Sequence, residues 1–158
     1  MSQLQLTTEG DKYVLVSRTF AAAPEAVYRA HTEPALLQKW LLGPDGWTMP
    51  TCISETRPGG KIRYEWTDGK GGGFHLTGEY VELEPFSRIV HIERMHLPDP
   101  TPDNYVETRF EPQGTGTLLT MRMTLPNQEA RAAMLASGMD KGMEDSYQRL
   151  ETMISSQR

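Results

Sequence analysis

The fold follows largely from a stretch near the end of the chain, NQEARAAMLASGMDKGMEDSYQRLETMIS (residues 127–155). Its apolar residues recur about every 3.6 positions, which predicts one amphipathic helix over the whole stretch. Asn127 is a typical N-cap residue, and Glu129 lies near the positive end of the predicted helix. The helix must bury its apolar stripe against other elements. That stripe consists of Leu135, Met139, Met143, Tyr147, Leu150 and Ile154.

Two glycines interrupt this helical pattern. Gly138 and Gly142 lie about one turn apart, near the apolar stripe. A glycine inside a helix costs roughly 1 kcal/mol relative to alanine. We interpret the pair as a sign either of close approach by another backbone or of space left empty beneath the helix.

The elements that receive the helix are predicted to be strands. Apolar and polar residues alternate through the middle of the chain, as in GGKIRYEW (residues 59–66), where Ile62, Tyr64 and Trp66 alternate with charged residues. Proline or glycine separates the segments, which is typical of consecutive antiparallel strands. The predicted strands are residues 12–20, 47–56, 59–66, 74–83, 88–95, 105–111 and 117–124.

Two short helices are predicted after the first of these strands. PEAVYRAHT (residues 24–32) and PALLQKW (residues 34–40) each begin with proline, which is favoured at the first helical position. The next segment, KWLLGPDGWTM (residues 39–49), places Trp40 and Trp47 on either side of a polar turn. These two tryptophans either pack the helix pair onto the edge of the sheet or line the rim of a cavity.

Together these elements predict an α+β fold in a single domain of residues 1–158. A curved antiparallel sheet would wrap around a long C-terminal helix, with two short helices after the first strand. This arrangement encloses an interior between the sheet and the long helix.

The composition narrows the classes of function. The chain has 158 residues and a net charge of −5, and no cluster of lysine or arginine is present, so we expect no nucleic-acid partner. No apolar run approaches the roughly 20 residues of a membrane helix, so we expect no membrane insertion. The N-terminal residues do not resemble a signal peptide and Cys52 is the sole cysteine, so we expect a cytoplasmic location.

His91 and Glu93 are the most informative polar residues. In RIVHIERM (residues 88–95) they share one strand face with Ile89 and Met95. If this face looks into the interior, the pair can anchor a polar group of a ligand or act as acid and base. The alternative is a strand face open to solvent.

The remaining chemistry-bearing residues form no recognisable motif. The four histidines lack the spacing of a metal site, and the nucleophile motif G-x-S-x-G is absent. We therefore expect no metal, no cofactor and no catalytic nucleophile of a known type.

Several segments resemble the family of homologues of the activator of heat-shock protein 90 ATPase, within the START-like (SRPBCC) superfamily. The resemblance extends over residues 13–154, and its strongest elements are the tryptophan-proline turn and the closing Tyr-x-x-Leu pattern. It implies a helix-grip fold with a hydrophobic cavity between the sheet and the C-terminal helix. The family usually carries bulky apolar residues at the positions of His91 and Glu93. The segments are residues 20–46, 57–66, 78–93, 106–123 and 141–154.

The resemblance implies a range of activities. Eukaryotic namesakes stimulate a chaperone ATPase, and wider relatives bind lipids or cyclise polyketides. Our first hypothesis is a binding protein for a small, largely apolar molecule. The alternatives are a chaperone co-factor in the stress response that acts through its surface, and a cyclase or hydrolase that uses His91 and Glu93. The predicted ligand-binding residues are Tyr64, Trp66, His91, Glu93, Met121, Met123, Met139, Met143 and Tyr147.

Overall fold

The computed structural model describes residues 4–96 and 99–155, which form an eight-stranded antiparallel sheet and four helices. The strand order is β1-β2-β8-β7-β6-β5-β4-β3, so the first two strands pair with the last one. The strands are β1 (Gln5–Glu9), β2 (Tyr13–Phe20), β3 (Thr48–Ser54), β4 (Lys61–Thr67), β5 (Gly73–Glu84), β6 (Arg88–His96), β7 (Asn104–Gln113) and β8 (Gly116–Thr124). The helices are α1 (Pro24–Thr32), α2 (Pro34–Trp40), α3 (Gln128–Ala136) and α4 (Met139–Ser155).

All seven predicted strands are present, and no bound differs from the prediction by more than two residues. The structure adds β1, which the sequence analysis did not predict. Its sequence, QLTTE, is polar and largely exposed, and it lies at the sheet edge where it pairs only with β2. The two short helices therefore follow the second strand rather than the first.

One face of the sheet is apolar, and the alternation in β4 shows how it forms. Ile62, Tyr64 and Trp66 are buried, while the residues between them are exposed or half-buried, as predicted. Cross-strand pairing places Tyr64 opposite Leu76, and Trp66 opposite Phe74. These residues therefore share the inner face of the sheet.

The pairing of β5 with β6 contains two irregular features. A side chain at Gly78 would collide with the backbone carbonyl of Ile92, so only glycine permits this close approach. A β-bulge between Tyr80 and Glu82 shifts the register of the same pair of strands. Both features curve the sheet toward its inner face.

The helix pair α1 and α2 packs at the edge of this sheet. Trp40 is almost fully buried, and its indole N–H donates to the Ala30 carbonyl over 2.9 Å. Trp47 is half-buried and contacts the ring of Phe74, with the ring centroids 5.3 Å apart. Trp40 therefore has the packing role that the sequence analysis offered as one of two alternatives.

The prediction of one helix over residues 127–155 is wrong, because the segment contains two helices. The first helix ends at Ala136 and the second begins at Met139. Between them Gly138 has a φ of +79°, a left-handed conformation that favours glycine. Asn127 caps α3 as predicted, because its side chain accepts a hydrogen bond from the Ala130 N–H at 2.8 Å. The apolar repeat hides this break because residues of both helices pack against the core.

The core has two parts, both on the inner face. The main cluster lies between the sheet and α4 and includes Tyr147, Leu150 and Ile154. A smaller cluster beneath α3 is built on β2, β7 and β8. Within residues 4–96 and 99–155, no helix is both long and apolar enough to cross a membrane.

Candidate ligand-binding site

The predicted wall residues lie in different parts of this interior. Tyr64, Trp66 and Tyr147 belong to the main cluster. Met123 is buried in the smaller cluster, and Met139 packs against that cluster. The half-buried Met121 and Met143 contact both clusters. The structure thus divides these residues between two neighbouring cores.

Trp66 joins β4 to the segment that follows α2. Its indole N–H donates to the Leu41 carbonyl over 2.8 Å, and its ring stacks on Phe74 with the centroids 4.9 Å apart. Tyr64 meets the same indole edge-on at 5.8 Å. These contacts hold Trp66 in a fixed orientation on the inner face.

Tyr147 connects α4 to the helix pair. Its ring stacks on Trp40 at 5.7 Å and meets Phe20 edge-on at 5.4 Å. Burial raises the pKa of Tyr147, so this residue is a neutral phenol at physiological pH.

His91 and Glu93 lie on the inner face of the sheet. Both residues are in β6, where His91 pairs with Tyr80 of β5 and Glu93 pairs with Gly78 of β5. The His91 Nε2 and Glu93 Oε2 atoms are 3.8 Å apart, and the two side chains are 19% and 21% exposed. This chain therefore has a polar pair on a sheet face that is otherwise largely apolar.

His31 faces the same region from α1. Its ring lies between Trp40 and Phe110, with centroid distances of 4.9 and 5.2 Å. Its Nδ1 is 2.7 Å from the Val27 carbonyl, so Nδ1 carries the proton and donates. Burial lowers the pKa of His31 to about 4, and the hydrogen bond to Val27 opposes this effect only in part. His31 is therefore neutral at pH 7, with a lone pair on Nε2.

Three buried polar atoms of the described residues have no hydrogen-bond partner in the protein: His31 Nε2, His91 Nδ1 and Asn104 Oδ1. Asn104 is directly opposite Glu93 in the pairing of β6 with β7, so the two side chains lie on the same face. His91 is close enough to His31 to lower its pKa. We call His31, His91, Glu93 and Asn104 the inner polar cluster.

Tyrosines surround this cluster. The Tyr80 hydroxyl shares a hydrogen bond of 2.6 Å with Ser54 Oγ, and its ring lies 6.5 Å from that of His91. Burial raises the pKa of Tyr80 to about 12. Burial also raises the pKa of Tyr64, and the negative charge of Glu93 is among the smaller causes. Tyr64 and Tyr80 are therefore neutral and border the cluster.

The one buried cationic side chain among the described residues is already paired. Arg18 of β2 contacts Glu144 of α4 over 3.1 Å and Glu151 over 3.6 Å. Burial raises the pKa of Glu144, but hydrogen bonds from Arg18, Gln148 and Leu4 outweigh this effect, and the pKa is lowered overall. Arg18 thus ties the sheet to α4 and has no unbalanced charge to offer a ligand.

Three further residues border or complete the site and were not among those predicted from the sequence. His31 follows Val27 by four positions in α1, and this helical spacing was a signal that it points inward. Tyr80 continues the inward alternation of Leu76 in β5, which was a weaker signal. Nothing in the sequence near Asn104 indicated its role, since that role depends on strand register.

Two surface grooves are separate from this interior. One, of about 620 Å³, lies between the turn at Asp45 and the outer side of α4 and is lined by charged residues that include Lys141 and Arg149. The other, of about 450 Å³, lies beside α1 and the turn at Phe86. Neither groove is lined by a predicted site residue. Within the described ranges, no three histidine, cysteine or acidic side chains are grouped as metal ligands.

Known proteins resemble this chain over nearly its full length. A protein of Rhodobacter sphaeroides with a solved structure is 34% identical, with 98% of this chain and 99% of that one covered and a TM-score of 0.91. A Mycobacterium smegmatis protein is 18% identical, with 100% of each chain covered and a TM-score of 0.87. A Nitrosomonas europaea protein is 23% identical, with 92% and 96% covered and a TM-score of 0.81. The last two likenesses show the fold alone.

No curated protein matches the chain. The family model described as activator of Hsp90 ATPase homolog 1-like protein matches residues 21–155. This match covers both short helices, strands β3 to β8 and nearly all of the C-terminal helical region. The chain therefore belongs to the family of activator of Hsp90 ATPase homolog 1-like proteins, within the START-like superfamily.

Proposed function

We propose that the protein binds a small, largely apolar molecule that carries a polar group, between the inner face of the sheet and α4. Family and fold support a ligand-binding or co-factor-type function. The main support for the proposal is that three buried polar atoms, His31 Nε2, His91 Nδ1 and Asn104 Oδ1, have no hydrogen-bond partner among the described residues. Each such atom costs about 1–3 kcal/mol when it is left unpaired. A ligand that pairs with them recovers this energy.

The apolar part of the ligand would contact the methionines and aromatic residues of the wall. Met121 and Met143 lie between the two core clusters, where flexible thioethers adapt to ligands of different shape. The proposed wall is Tyr64, Trp66, Met121, Met123, Met139, Met143 and Tyr147, with His91 and Glu93 as anchors.

A neutral apolar dye, N-phenylnaphthylamine, tests this proposal. We expect its fluorescence to rise in a saturable way with the wild-type protein. The Met143→Trp variant should bind the dye at least about tenfold more weakly, because a larger ring at this position fills the interior. Near-ultraviolet circular dichroism and urea unfolding establish that the variant is folded.

The matched control is Lys141→Trp, which places the same ring on the outer side of α4. Lys141 is 81% exposed and lines the larger surface groove, so its replacement should leave dye binding unchanged. Loss of binding in Lys141→Trp with full binding in Met143→Trp would place the dye in the surface groove and refute the proposal. An absence of saturable binding to the wild type would refute it as well.

A second candidate is acid–base catalysis by His91 and Glu93, favoured by the 3.8 Å distance between His91 Nε2 and Glu93 Oε2. Burial raises the pKa of the Cys52 thiol in β3 to about 11, so a thiolate nucleophile is disfavoured. Hydrolysis of a short-chain nitrophenyl ester would support this candidate if Glu93→Gln and His91→Phe each abolish it. Equal rates in the wild type and both variants exclude it for this substrate class.

A chaperone co-factor role is a third candidate, on the ground of the family description. It requires the surface rather than the interior. Stimulation of a purified Hsp90-type ATPase by the wild type, undiminished in Met143→Trp, would favour it over ligand binding.

A further inference from the structure

We propose that the polar end of the ligand is a hydrogen-bond donor without negative charge, such as a hydroxyl or amino group, and that carboxylates are rejected. This inference rests on the proposed function and names the class of ligand that the inner polar cluster recognises.

The cluster consists mainly of hydrogen-bond acceptors. His31 donates from Nδ1 to Val27, so its free Nε2 can only accept. Asn104 Oδ1 is an acceptor, and the Glu93 carboxylate accepts at both oxygens. When neutral His91 directs an Nε2–H toward Glu93, its buried Nδ1 is an acceptor as well. A ligand must therefore supply the protons of these hydrogen bonds.

The charges of the inner face also disfavour a ligand with a carboxylate. Glu93 carries a negative charge on the inner face, and the charge is felt by the buried Tyr64 and Tyr147. The buried Arg18 is already balanced by Glu144 and Glu151. A ligand carboxylate would meet like charge and acceptor atoms in a poorly solvated space, which is unfavourable on both counts.

Strand pairing brings three members of the cluster together on one face. Glu93 and Asn104 are direct cross-strand neighbours, and His91 lies two residues before Glu93 on the same face. Glu93 is also opposite Gly78, so β5 places no side chain directly against the carboxylate. The cluster thus presents several acceptors from one side of the interior, with His31 facing them from α1.

Three compounds with the same twelve-carbon chain test the inference: dodecanol, dodecylamine and dodecanoic acid. Each competes with N-phenylnaphthylamine at neutral pH, below the concentration at which it forms micelles. We expect the alcohol and the amine to displace the dye, and the acid to bind about tenfold more weakly or worse, since it meets the charge of Glu93. Glu93→Gln should improve binding of the acid and weaken binding of the amine, each by about tenfold.

Glu79→Gln is the matched control, because Glu79 neighbours Gly78 in β5 but pairs with Arg94 on the outer face. It should leave all three affinities unchanged. If the dye binds but the acid binds as tightly as the alcohol, or Glu93→Gln alters nothing, the inference is wrong while the proposed function stands. If neither the dye nor any of the three compounds binds, the proposed function is wrong and this inference is wrong with it.

Discussion

His31 is a buried side chain whose proposed role in binding comes at the expense of stability. Its ring fills space among aromatic residues, which a phenylalanine would also do. Its Nε2 is buried without a partner in the protein, which lowers stability. Residues that make this exchange are typical of functional sites.

His31→Phe should therefore stabilise the protein, and more so at acid pH. The pKa of His31 is lowered from 6.5 to about 4, so the unfolded chain binds a proton between these pH values that the folded chain does not. Stability of the wild type accordingly falls as pH decreases through this window, by up to about 3 kcal/mol from this residue alone. The variant lacks this loss, so its advantage in free energy of unfolding should grow as pH falls.

Urea unfolding of both proteins at neutral pH and within this window measures the difference. His75→Phe is the control, because His75 stacks on His96 at the sheet surface rather than in the core. If the stabilities of wild type and His31→Phe change in parallel with pH, then His31 is not buried as a neutral group.

The break between α3 and α4 shows why an apolar repeat does not define a helix boundary. The stripe from Leu135 to Ile154 continues through Gly138, because both helices bury residues on the same side of the sheet. What ends α3 is backbone conformation, and glycine alone adopts a positive φ without strain. The two glycines thus have different roles, and neither is a site of close backbone approach.

Alanine at each glycine separates these roles. Gly138→Ala should destabilise the protein by about 1 kcal/mol, because alanine is strained at a φ of +79°. Gly142→Ala should stabilise it by about 0.5–1 kcal/mol, because the position is helical and the added methyl meets no atom within 4 Å. Urea unfolding gives both values, and each variant is the control for the other. Destabilisation of similar size in both variants would contradict this account of Gly142.

Local patterns predicted most of the sheet but not the composition of the site. The alternation in residues 59–66 identified Tyr64 and Trp66 as inward because strand side chains alternate strictly. The polar β1 gave no apolar signal, since it lies at an edge and buries little. The inner polar cluster joins α1, β6 and β7, and its members meet only through register and helix placement. Strand register and helix placement depend on the whole fold, so local sequence patterns do not predict this cluster.

At the scale of the whole molecule, a double change removes the polar pair from the inner face of the sheet. His91→Phe with Glu93→Trp replaces both polar groups by rings. The new indole would lie on the inner face, opposite Gly78 in β5. We expect the double variant to fold and to be more stable by about 1–3 kcal/mol, because a buried unpaired nitrogen and a partly buried charge are removed.

The same variant should lose affinity for dodecanol by more than about tenfold, since the head group meets rings instead of acceptors. Urea unfolding measures stability, and dye competition measures affinity. The two single variants are the controls, and a larger loss of amine binding in Glu93→Trp than in His91→Phe would identify the carboxylate as the stronger anchor. Full affinity for dodecanol in a folded double variant would show that the polar end of the ligand does not lie against His91 and Glu93.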